Sequence, residues 1–171
     1  MKRQPHNLKG VSVIELLVVM AVISVAFAAL SGASLYALRI AEVSKATIQA
    51  QALAKEAMDA LVQYRNTVPW NADDPANQYD GLGMASVETA YHLATSTESA
   101  PRWMLLAGEE AVERFTRSIV LSAVSRDLDS NITETGGTAD AYTRRVRVTV
   151  SWDFKGNTKR VELTSYLTNW R

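Results

Sequence analysis

The chain contains no cysteine, only two histidines, four prolines, and equal numbers of basic and acidic side chains, 18 of each. Without cysteine there is no disulfide to staple a loop, and no thiolate to ligate a metal or attack a substrate. The histidines, His6 and His92, stand far apart, so a centre of His and Cys ligands lacks its members, as does a Ser–His nucleophile pair. Serines are plentiful, but none sits in a nucleophile-elbow pattern. Tyr91-His92-Leu93 reads as an ordinary surface or packed histidine. We therefore expect neither enzymatic activity nor a cofactor nor a metal site. A formal net charge of zero also opposes the basic footprint of a nucleic-acid binder.

Charge is missing altogether from residues 16–38, a run of Val, Leu, Ile and Ala long enough to cross a bilayer as a helix at ~1.5 Å per residue. Lys2, Arg3 and Lys9 precede it, whereas its far side begins with Arg39 and is soon balanced by Glu42, which predicts a cytoplasmic N-terminus. Ser31-Gly32-Ala33 imitates a signal-peptidase site, but the apolar run is too long for a cleaved secretory signal. It also begins directly behind a carboxylate, Glu15. Ionised carboxylates at the centre of such helices cost ~2.5–3.5 kcal/mol on insertion scales, so Glu15 calls for a partner that a plain anchor does not offer.

The segment Lys9-Gly10-Val11-Ser12-Val13-Ile14-Glu15-Leu16-Leu17 resembles the class III signal of type IV pilins and pseudopilins, where a basic leader ends in Gly and a Glu occupies the fifth position after it. Val11 is a departure, since the family usually has Phe there. The resemblance implies cleavage between Gly10 and Val11 by a prepilin peptidase, N-methylation of Val11, and retention of the apolar helix as an assembly element. It further implies that Glu15 pairs with the N-terminal amine of a neighbouring subunit and so sets its register; a local pair with its own N-terminus, one helical turn away, is the simpler alternative. The expected location is the inner or cytoplasmic membrane, single-pass with the head outside, followed by a pilus or periplasmic filament. The expected partners are other pilin or pseudopilin subunits, the peptidase and methylase, the inner-membrane assembly platform, and membrane lipid before assembly. Removing Lys2, Arg3 and Lys9 with the leader takes the 18 basic residues to 15 against 18 acidic, a net charge of −3, which sets nucleic acid aside as a partner.

The expected fold class is α+β: a pilin-like long N-terminal helix whose second half packs on a small antiparallel sheet. The expected divisions are a leader over 1–10, a transmembrane or filament-core helix over 11–38, its amphipathic continuation over 39–66, and a globular head over 67–171. Ile40, Val43, Thr47, Ala50, Leu53, Ala54, Ala57, Leu61 and Tyr64 follow helical spacing, and Val68-Pro69-Trp70 ends the pattern. Small residues from Ala21 to Ser34 suit close helix packing, and Gly32 marks a place where the helix is free to unwind. In the head, Val146, Val148, Val150 and Trp152 alternate with polar residues, as do Val161, Leu163 and Ser165 beyond a Gly-containing turn, which predicts a hairpin. Residues 115–124 and 103–106 supply two further strands, and a short helix is expected around 86–94.

The C-terminal strands, from Val148 to Trp152 and from Leu163 to Trp170, look like the end of PilV-type minor pilins and of the minor pseudopilins of type II secretion. A DNA-uptake tip subunit is a more distant alternative, because Arg144, Arg145, Arg147, Lys155, Lys159 and Arg160 collect on this hairpin. Two acidic stretches remain. Asp127 to Asn131 opens like a calcium loop, but Ile132 stands where the sharp turn needs Gly. Asp73, Asp74 and Asp80 read as turn-forming acids.

Overall fold

A computed structural model describes residues 12–97 and 99–170. Among these residues one helix, α1 (Val13–Thr67), is followed by seven strands: β1 (Ala90–Thr95), β2 (Trp103–Ala107), β3 (Glu110–Val112), β4 (Phe115–Arg126), β5 (Ile132–Thr133), β6 (Thr138–Phe154) and β7 (Asn157–Thr168). The chain divides into two units, Met1–Ser44 and Lys45–Arg171, so that α1 contributes its first part to one and its second part to the other.

In the first unit the described helix is exposed throughout apart from Val43, including its large apolar side chains from Val13 to Ile40. The helix runs unbroken through Gly32 in the single chain. One Gly lowers helix stability by only ~1 kcal/mol, and no proline is present to remove a backbone donor. The hydroxyls of Ser24, Ser31 and Ser34 donate to the carbonyls of Met20, Phe27 and Leu30, one turn back, at 2.8, 2.8 and 2.9 Å. Their polar groups are thereby satisfied inside the helix.

In the second unit the helix has a buried stripe of small residues, Ala46, Ala50, Ala54 and Ala57, leading into Leu61 and Tyr64. The spacing of roughly 3.6 residues places them on one face, and the absence of long side chains permits close approach. The sheet supplies the bulk: Phe115, Ile119, Leu121, Val146, Val148, Val150 and Trp152 are buried in the same core. Phe115 and Trp152, opposite each other in the register, meet edge to face at 5.7 Å. Arg65 lies in the last turn, and Val68 N donates the final bond to Tyr64 O at 2.9 Å before Pro69, which has no N–H to give.

The sheet is antiparallel, with the path β2-β1-β4-β6-β7 and with β3 and β5 also paired to β4. The expected hairpin is present as β6 and β7, joined at Lys155-Gly156, whose φ values of 54° and 76° fit the tight type I′ turn. The expected strands over 115–124 and 103–106 are β4 and β2. Residues 86–94 are not helical: Ala90 onward forms β1, with Tyr91 and Leu93 buried and His92 and Ala94 half-buried. Its alternation is short, and Ala, Glu and Leu favour helix locally, but pairing with β2 on one side and β4 on the other outweighs that preference.

The loop from Val68 to Thr89 is tied down from several sides. Tyr64 Oη donates to Asp80 O at 2.7 Å, and Arg144 donates from Nε and Nη2 to the carbonyls of Leu82 and Gly83 at 3.1 and 2.7 Å. A Cβ on Gly81 would sit 2.1 Å from the carbonyl oxygen of Trp70, so only glycine fits that crossing.

Candidate functional site

Gly10 and Val11, the expected processing residues, lie outside the described residues. Glu15 is described, exposed in the first turn of α1. Leu16 N donates to Ser12 O at 3.2 Å, which makes Ser12 the residue that opens the helix and puts Glu15 three places beyond it. Ser and Glu in those two positions are the capping-box combination, and an acid in the first turn also faces the positive end of the helix dipole. Glu15 thus has a local role available, legible as Ser-x-x-Glu in the sequence but obscured there by the longer motif.

From Val13 to Leu38 no large apolar side chain is covered, and the helix is long and apolar enough to cross a membrane. A helix that is apolar on all sides has the surface of a membrane span.

In the head, the polar side chains with the most partners are structural. Arg117 points from β4 into the core with only 8 % of its surface exposed. Its Nη2 meets Glu110 Oε2 at 2.6 Å, and its Nη1 reaches Leu53 O at 3.2 Å and Glu56 Oε1 at 3.4 Å, so it links the sheet to α1. Arg126 Nε holds Asp140 Oδ2 at 2.7 Å, and that hydrogen bond keeps the Asp140 carboxyl below its ordinary pKa. Burial pushes the Tyr64 phenol up, with Asp80 and Asp74 nearby adding to it, so the hydroxyl stays a donor to Asp80 O.

The two acidic stretches are engaged in turn geometry. Asp74 Oδ2 accepts from the amides of Gln78 and Tyr79 at 2.9 and 3.2 Å, bonds that lower its pKa, while Asp80 Oδ1 accepts from Asp74 N at 2.8 Å. Asp127 Oδ1 accepts from the amides of Asp129 and Asn131 at 3.0 and 2.8 Å. Among the described residues no group of three or more His, Cys, Asp or Glu side chains gathers in a way that could hold a metal ion. An open crevice of about 500 Å³ lies beside Pro69, Trp70, Asn71, Asn169 and Trp170, with Arg65 stacked over the Trp170 ring at 5.3 Å. Its lining contains no carboxylate and no imidazole, so it offers no acid–base pair.

The basic residues that collect on the hairpin are divided between its two faces by the register. Arg144 and Lys159 lie on the helix-facing side of β6 and β7, opposite Leu167 and Trp152, and Arg144 is occupied by the loop carbonyls. Arg145, Arg147 and Arg160 are on the other side, with Arg160 Nε at 3.2 Å from Glu162 Oε1. The period-2 pattern that revealed the strands also separates odd from even positions, and the cluster in the sequence is not a cluster on one surface. Against this chain no protein-family model matches, nor does any curated protein or solved structure.

Proposed function

We propose that the chain is a non-enzymatic assembly subunit of a type IV pilus or related filament, of the minor-pilin kind. In this reading it is made as a prepilin and cut by prepilin peptidase between Gly10 and Val11, with methylation of Val11. It is held in the inner membrane with the N-terminus cytoplasmic and the head outside, and then passed through the assembly platform into a filament of similar subunits. The observation that carries the reading is a single 55-residue helix behind the Lys9-Gly10 to Glu15 motif. Its first part is apolar and uncovered, and its second part is the spine of an α+β head. A carboxylate at the head of such a segment is better matched by a neighbour's amine than by lipid, which favours docking over remaining free.

The test is the intact mass of the membrane-extracted protein co-expressed with a prepilin peptidase, beside a Gly10→Ala variant. The reading predicts a chain beginning at methylated Val11 that disappears in the variant. An uncut chain, or one cut near Ala33, would contradict it. A minor pseudopilin of type II secretion would give the same product; deletion of the gene separates the two by which system fails.

A further inference from the structure

β7 is the last strand on the path of the sheet, 12 residues long, and among the described residues it pairs only with β6. The register fixes which of its backbone groups are used. Beyond the Lys155-Gly156 turn, Phe154 and Asn157 form the closing pair, so odd-numbered β7 residues bond to β6 and even-numbered ones turn their N–H and C=O outward. Two bonds at the other end agree. Asn169 N donates to Tyr142 O at 2.8 Å, towards β6, while Thr168 O faces away and accepts from Arg65 Nη1 at 3.3 Å. Among the described residues nothing bonds to the outward backbone groups of Thr158, Arg160, Glu162, Thr164 and Tyr166. All five residues are exposed.

An open edge of this length is a template for another strand, and charged residues on it decide which strands are admitted. We infer that β7 pairs with the β7 of a second copy of this chain, antiparallel about a two-fold axis at Val161. The direction of the bonding groups allows the axis to shift only in whole residues along the strand, and the charges then discriminate. With the axis at Arg160 the two Arg160 side chains are directly opposed, and with the axis at Glu162 the two Glu162 carboxylates are. At Val161, Arg160 of each copy faces Glu162 of the other. Like charges directly opposite destabilise a strand pair and unlike charges stabilise it. The same register sets Thr158 opposite Thr164, Val161 opposite itself, and the stem of Lys159 beside Leu163, which is 37 % exposed in the single chain.

The two-fold axis stands normal to the sheet, so the second parts of α1 in the two copies run in opposite directions, and the pair is a state of chains outside both a filament and a single bilayer. The inference does not rest on the filament reading and survives its failure.

Because the chain has no cysteine, introduced thiols report the pairing directly. In the detergent-solubilised full-length protein, Val161→Cys places the two thiol-bearing residues at a non-bonded pair, Cα atoms about 4.5 Å apart, within disulfide reach. Oxidation should give a covalent homodimer. Lys159→Cys and Leu163→Cys should each fail to join to themselves, with like residues about 14 Å apart, whereas the Lys159→Cys/Leu163→Cys double variant should join. In the Val161→Cys background, Arg160→Glu or Glu162→Arg should each lower the cross-linked yield roughly tenfold, and the two together should restore it. Equal cross-linking at 159, 161 and 163, no restoration by the charge exchange, or capture of a different protein at 161 would overturn the inference.

Discussion

The two parts of α1 have the same backbone and opposite relations to their surroundings. Between Val13 and Leu38 the helix carries Val, Leu, Ile and Phe on every side and buries none of them. Between Ala46 and Tyr64 it buries mainly alanines, and the large side chains of that core come mostly from the sheet. Helix propensity alone does not distinguish these stretches, since both are rich in good helix formers. What distinguishes them is where the cover comes from. The second part is covered by its own chain; the first has no cover within the described residues and is long and apolar enough to cross a membrane.

That contrast is sharpest for leucines. Leu61→Ala removes a fully buried side chain and should destabilise the head by ~2–5 kcal/mol, whereas Leu30→Ala, 64 % exposed, should leave head unfolding unchanged. All four tryptophans lie beyond Lys45, so fluorescence during denaturant unfolding of the detergent-solubilised chain reads the head alone. Equal effects of the two substitutions would break the comparison. The alanine stripe gives the reverse experiment: Ala54→Leu should destabilise by ~1–3 kcal/mol through overpacking, while Ala28→Leu, on the uncovered part, should not.

A smaller effect tests the polar ties. Tyr64→Phe keeps the ring and removes the donor to Asp80 O, which should cost about 1 kcal/mol in the same unfolding assay and loosen the loop around Gly81. The smallest is pH-dependent. Asp140 has a folded pKa below its ordinary value of 3.8, so its pairing with Arg126 contributes stability that is complete above that value. It is lost as pH falls through the lower folded pKa. Asp140→Asn should therefore reduce stability at neutral pH and flatten the acid limb below about pH 4, checked by unfolding midpoints across the acid range.

Much of this architecture is legible in the sequence because one period governs each element. The charge-free run, the helical spacing that ends at Pro69, and the alternation in β6 and β7 are one-dimensional records of burial. Ala46, Met58 and Ala60 were not legible as core, since Ala carries little hydrophobic signal and Met58 lies off the main stripe. β1 is not legible as a strand because its few alternating residues form one only between β2 and β4, a condition set by residues far along the chain. The division of the basic residues depends on register, which a list of positions conceals until the turn at Lys155-Gly156 is placed. Arg117 gave no sign of its role: a charged residue inside a strand reads as solvated until its partners on α1 and β3 are brought to it.

The most direct test of the contrast within α1 is to compare the full-length chain with one beginning at Lys45, both expressed in the same cells and fractionated after alkaline carbonate extraction. The account predicts that the full chain stays with the membranes. The shorter chain should remain in solution, with the circular dichroism of a folded helix and antiparallel sheet. Release of the full chain by carbonate, or retention of the shorter one in the membrane fraction, would contradict it.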